Sequence, residues 1–207
     1  MQKLKPTIAV LPFDYTGKDA TLEPLREGLA QMLISDVPSF ASVNVVERAR
    51  LNALLQEQKL ARSGKVDAST AARVGKLLGA RFLVLGNFFD LGPSTRIDAR
   101  VVEVETGKIV RAVGVTGASA DFLALEQDLA GKLSEVIATA LPKEVQAIRP
   151  TRPKPAKVKS TTVVTYGRAL VALDGGKKDE AKVLLTEVVK EAPEFRLAKT
   201  ELNALLQ

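Results

Sequence analysis

Residues 45–60 read VVERARLNALLQEQKL, and this stretch sets the class of the fold. Val45 and Val46 are β-branched and end a strand, and Leu51, Leu54 and Leu55 then recur at helical spacing. Glu47 falls in the helix's first turn, where a carboxylate complements the positive end of the dipole by about 0.3–1 kcal/mol. A strand that passes straight into a helix is the joint of an α/β chain. The Glu47–Arg48 pair at this joint has three readings: a reactive site, a binding edge, or a local ion pair where a strand stops.

The same alternation extends in both directions. Residues 7–13 (TIAVLPF) form a nearly continuous apolar run, the pattern of a strand buried on both faces. Leu22, Leu25, Leu29, Met32 and Leu33 follow at helical spacing, with Thr21 as a cap and Pro24 in the first turn. A later helix opens at Asp67 or Ser69, carries Ala72, Val74, Leu77 and Leu78 inside, and stops at Gly79. Residues 81–89 (RFLVLGNFF) return as a strand, and 96–105 with 108–116 form a hairpin about Thr106-Gly107. Ile97, Ala99 and Val101 alternate cleanly, whereas Val102 and Val104 take the other parity. That calls for a bulge or a strand covered on both faces. A helix over about 121–141 closes the unit.

The composition suits a packed core, with 46% hydrophobic and 26% charged residues. No apolar run approaches the ~18–20 residues of a membrane-spanning helix. The opening MQKLKPTIAVLPF lacks the longer apolar region and cleavage site of a signal peptide. There is no histidine and no cysteine, which excludes Ser-His-Asp and Cys-His nucleophiles, Cys/His zinc sites and disulfides. No metal, no cofactor and no catalytic residue is expected.

The net charge of +6 is localised. Residues 1–140 carry 17 basic and 16 acidic side chains and residues 161–207 carry 7 of each, so the excess sits in residues 141–160, with 6 basic and 1 acidic. Pro142, Pro150, Pro153 and Pro155 make that segment a semi-extended spacer. It has no interleaved aromatics, so nucleic acid is not an expected partner.

Beyond the spacer, residues 165–194 read as two short helices around Gly175-Gly176. Ala169, Gly176, Ala181 and Pro193 fall at the spacings of a tetratricopeptide repeat, with Leu185 at its large apolar position and Thr165 where tryptophan is usual. A single repeat leaves apolar surface, so the unit is expected to dock on the first domain or to pair with another copy or a partner. Val183, Leu184, Val188 and Val189 are the residues expected to present it, and Leu184 and Val188 are candidate interaction residues. With a spacer between them, the two units are expected to melt separately.

Chemistry-bearing patterns are sparse. Neither G-x-x-x-x-G-K-[ST] nor G-x-G-x-x-G occurs. Glu103 and Glu105 share one side of the predicted strand about 7 Å apart, but no aromatic platform flanks them. An exposed charged strand face accounts for the pair.

The ordered blocks 8–13 (IAVLPF), 46–58 (VERARLNALLQEQ), 78–86 (LGARFLVLG) and 100–110 (RVVEVETGKIV) resemble the CsgG-type curli-secretion lipoprotein family, together with the FlgO-like and TolB-like N-terminal domains. The resemblance implies a CsgG-like three-layer α/β domain with a mixed sheet over residues 1–140. The basic spacer 141–160 and a small all-α tetratricopeptide-like unit, 161–207, follow. It also implies a non-enzymatic periplasmic protein tethered to the outer membrane, with envelope proteins or further copies of itself as partners. In ring-forming relatives the helix after VERARL lies near subunit contacts, so Glu47, Arg48, Leu51, Gln56 and Glu57 are expected to border an interface.

Two departures matter. Where channel-forming members insert barrel hairpins, this chain has only residues 90–95 and 117–121, too short for a transmembrane strand of ~9–11 residues. It also has no lipidation cysteine, so membrane contact is expected only through an anchor outside this sequence or through a partner. The alternatives are an outer-membrane secretion component of the curli-export type and a cytosolic TolB-like regulatory module.

Overall fold

The computed structural model describes residues 5–57, 68–141 and 157–207; Asp67 and most of the basic spacer lie outside them. Strand β1 (Thr7–Val10) lies between β3 (Asn44–Val45) and β4 (Phe82–Leu91), parallel to both. β4, β5 (Ser94–Glu103) and β6 (Ile109–Ala118) continue the sheet as an antiparallel meander. The short β2 (Asp14–Tyr15) prolongs β1 alongside β4. Pairing moves from Val10 opposite Val84 to Asp14 opposite Asn87, so one side carries an extra residue. It falls around Pro12, which has no N–H for the ladder.

Alternation along the strands explains the continuous apolar runs. Ile8, Val10, Phe82, Val84 and Phe88 face one buried cluster, while Ala9, Leu11, Leu83 and Leu85 face a second on the opposite side. The sheet is covered on both faces. The same rule resolves β5: Ile97, Ala99 and Val101 belong to the first cluster, Val102 and Val104 to the second. The register against β6 also shifts between Val101 and Val102. Residues 90–95, read as a connecting loop, are mostly strand, because Asp90 pairs with Thr95 and Leu91 with Ser94. The turn is only Gly92-Pro93, with Gly92 at φ +61°.

Helix α1 (Leu25–Phe40) and helix α4 (Phe122–Ala140) cover the first face. Helix α2 (Arg48–Glu57) and helix α3 (Ala68–Leu78) cover the second. α3 uses Val74 and Leu78 for this, while Leu77, also within the helix, is 51% exposed. α1 begins at Leu25 and not at Leu22, which lies in a short 3-10 turn capped by the Asp19 carboxylate accepting from the Thr21 N–H at 3.0 Å.

Helices α5 (Ser160–Asp174), α6 (Lys178–Glu191) and α7 (Arg196–Leu206) form a further layer packed on α1. The contact is a backbone approach at two glycines. A Cβ on Gly28 would stand 2.8 Å from Val163 Cγ1 and 2.9 Å from the Val163 carbonyl, and one on Gly167 would overlap the Pro24 carbonyl oxygen. Tyr166, Ala169, Leu170 and Leu185 accordingly share one core with Leu25, Leu29 and Met32. The Tyr166 ring meets Phe195 edge-on at 5.0 Å.

Candidate functional site

The parallel strands fix where a crevice must open. The crossover from β1 to β3 runs through α1 on one face, and that from β3 to β4 runs through α2 and α3 on the other. Beyond the carboxyl ends of β1 and β4 the connections diverge, and doubly wound sheets place ligands at this switch point. Here it holds a cleft of about 250 Å³. Leu11 and Pro12 after β1, with Leu85 and Gly86 of β4, form its floor. Arg26 and Glu27 enter from the first turn of α1, Asn52, Leu55 and Gln56 from α2, and Arg100 from β5. Val171 and Asp174 of α5 close the remaining side.

Two ion pairs hold this frame. Arg26 donates from Nε to the Phe13 carbonyl at 2.8 Å and pairs with Asp14 at 3.2 Å. Arg48 pairs with Asp174 at 2.5 Å, and Asn52 Nδ2 donates to the same Asp174 oxygen at 2.8 Å. The second pair ties α2, on one face of the sheet, to the end of α5, in the helical layer beyond the other face. It spans 126 residues of sequence.

Between these pairs lies Glu27. Its Oε2 is shut off from solvent and meets no hydrogen-bond donor among the described residues. Burial pushes its carboxyl above the ordinary range, and the charge of Asp174 adds to this while Arg48 and Arg26 oppose it. A carboxyl that holds its proton more tightly in the fold than in the unfolded chain costs stability at neutral pH. It returns that stability as pH falls through its raised folded value toward the unfolded one near 4.3. Glu27→Gln is therefore expected to stabilise the protein at pH 7.5. The gain should shrink by pH 4.5. Urea unfolding of both proteins at the two pH values measures it, and an equal or negative difference at pH 7.5 refutes the assignment.

The residues singled out from sequence divide three ways. Glu47 and Glu57 are exposed on α2, and Gln56, also exposed, lines the mouth of the cleft. Arg48 is half-buried and serves as the α2–α5 clamp. Leu51 is 1% exposed, so it anchors α2 to the sheet and borders no surface. Leu184 and Val188, expected to present apolar surface, are instead buried, because α6 turns them into the core shared with α5 and α7. Val183 remains exposed at 68%. Glu105 lies in the turn beyond β5, and Glu103 Oε2 accepts from Thr106 Oγ at 2.8 Å, so the two carboxylates do not form a strand-face pair.

Sequence reading missed Asp14, Arg26, Glu27, Asn52, Arg100 and Asp174. The available signal was positional: the residues just past the first strand, and those opening the next helix, belong to a switch point. Among the described residues no cluster of acidic side chains could hold a metal ion, and no helix is long and apolar enough to cross a membrane.

Residues 2–96 match the family described as "Curli production assembly/transport component CsgG". A protein of Rhizobium meliloti (strain 1021) whose name is that of an adenylate cyclase is 22% identical over 201 residues. That match covers 97% of this chain and 32% of the other, so the chain spans about a third of that relative's length. Among solved structures, the lipoprotein GNA1162 of Neisseria meningitidis is similar with a TM-score of 0.44 and 14% identity, over 66% of this chain and 96% of that one. The LpoB C-terminal domain of Salmonella enterica gives 0.43 and 14%, over 56% and 84%. PelC of Paraburkholderia phytofirmans, a dodecamer, gives 0.40 and 10%, over 66% and 91%.

Proposed function

We propose, from the match of residues 2–96 to the CsgG family, that this protein is a non-enzymatic adaptor of the bacterial envelope that binds protein partners through the outer face of α2. The observation that carries this reading is the way α2 is held. Leu51 and Leu55 pin its inner side to the sheet, and the Arg48–Asp174 pair clamps its start to α5. Glu47, Arg50, Gln56 and Glu57 are left exposed on a helix that needs no further ordering to bind. The C-terminal helices, with their tetratricopeptide-like spacing, act in this reading as the support that sets α2.

The test is site-specific photo-crosslinking in a bacterial host, with the reactive group placed at Gln56 or Glu57 and, as a control, at Val183 on α6. A discrete adduct in the envelope fraction, formed from α2 and not from Val183, is the expected result. Equal adducts from both positions, or an exclusively cytosolic protein, overturn the proposal. A second reading is favoured by the span of the Rhizobium meliloti match, which includes the C-terminal helices. In that reading the same two parts form a regulatory module, and a cytosolic location would select it.

A further inference from the structure

The α2 reading leaves the cleft itself unexplained, although its charge inventory is specific. Three carboxylates, Asp14, Glu27 and Asp174, line it with two guanidiniums, Arg26 and Arg100. Arg26 is engaged by Asp14, by the Phe13 carbonyl and by Glu23 at 3.6 Å. Asp174 is engaged by Arg48 and Asn52. What remains is Glu27, partly buried with its Oε2 shut off from solvent, and Arg100, exposed on β5. An anion entering between them would meet the Glu27 carboxylate, whose neighbouring cations Arg48 and Arg26 are already paired with Asp174 and Asp14. A cation meets the part of the Glu27 carboxylate that lines the cleft, its inner Oε2 being shut off from solvent and without a donor.

The walls between are apolar: Leu11, Leu55, Leu85 and Val171. Such a slot accepts a hydrocarbon stem that carries charge at its inner end. We propose that the switch-point cleft is a binding site for a guanidinium or ammonium group on an apolar stem, seated on Glu27 beneath the end of α5, with Arg100 available to an acceptor at the outer end.

Two features beyond the cleft itself support this. Glu27 is costly where it stands, and a group that destabilises the fold while lining a cleft is the kind retained for binding. The roof, moreover, is made by α5 and locked by Arg48 to α2, so the slot is built from both parts of the chain and preformed. This inference does not depend on the α2 face binding a protein.

Such a group has two sources, a free small molecule or the side chain of a partner polypeptide, and the probes separate them. Calorimetric titrations of the full chain would use agmatine, n-pentylammonium, N-acetyl-arginine-N-methylamide and, as the neutral counterpart, 1-pentanol. Binding of the cations and not of pentanol is expected, with affinity falling at least tenfold in Glu27→Gln and unchanged in Glu187→Gln, an exposed position on α6. Val171→Trp alters an exposed residue and should block the slot without touching the core. Stronger binding of the blocked arginine than of agmatine points to a polypeptide side chain, and the reverse order points to a free cation. The proposal is overturned if no cation binds, if pentanol binds as well as the cations, or if neither Glu27→Gln nor Val171→Trp weakens them.

Discussion

Gly167→Val is expected to cost about 3 kcal/mol or more and to loosen α5 from α1. Helix propensity alone argues the other way, since a side chain in mid-helix is better than glycine by up to about 1 kcal/mol. Geometry decides the sign. A Cβ at this position overlaps the Pro24 carbonyl oxygen, and its other near neighbour is the Gly28 N–H. Both are backbone, so no side-chain rotation relieves the clash, and overpacking that forces backbone to move costs 1–3 kcal/mol and occasionally more. Gly175→Ala is the matched control: its Cβ would meet only the Val171 and Ala172 carbonyls, at 3.5 and 3.6 Å, which is ordinary contact. Urea unfolding gives the stability of each variant, and amide exchange along α5 reports its docking. If Gly167→Val unfolds at the same denaturant concentration as the parent, the close crossing of α1 and α5 is not a feature of the protein in solution.

The same crossing marks the boundary of what the sequence discloses. Periodicity was enough for the sheet, because Ile8 to Leu11 and Phe82 to Leu85 alternate between two buried clusters and so read as unbroken apolar strands. Gly79 and Gly107 could be placed as punctuation because positive φ is a local demand, and both have it, at +65° and +68°. Gly28 and Gly167 make no such demand. Their need for a missing side chain arises from a partner helix 139 positions away, and nothing in either heptad announces it. The cleft was hidden for the same reason. Arg48 was visible at the strand-to-helix joint, yet its partner Asp174 closes a different helix, and Glu27 reads as a solvent-facing carboxylate in a first turn until α5 is laid over it. A helical hairpin considered alone leaves Leu184 and Val188 to be covered by the first domain, a copy or a partner, and here they are taken up inside the shared core.

That shared core leads to the second large effect. A chain ending at residue 156 is expected to lose cooperative folding. α1 is buried on more than one side: Leu25, Leu29, Ala30, Met32, Leu33 and Val37 are each no more than 2% exposed, and one face of a helix cannot hold them all. The sheet and α4 take part of this surface; Val163, Tyr166, Ala169 and Leu170 of α5 belong to the same core and lie at 0% exposure. Each large apolar side chain returned to water costs about 1.5–3 kcal/mol, so a few of them reach the 5–15 kcal/mol that holds a domain together. The Arg48–Asp174 clamp is lost as well, which leaves Arg48 without its partner. The full chain should therefore unfold in one transition seen equally by far-ultraviolet circular dichroism and by the fluorescence of its two tyrosines, Tyr15 and Tyr166, although a proline-rich spacer suggests two independent units. The shortened chain should bind a hydrophobic dye and melt without a sharp midpoint. If it instead unfolds cooperatively within a few degrees of the parent, the C-terminal layer is an appendage that adds little to the first domain, and α5 cannot be the rigid roof of the cleft.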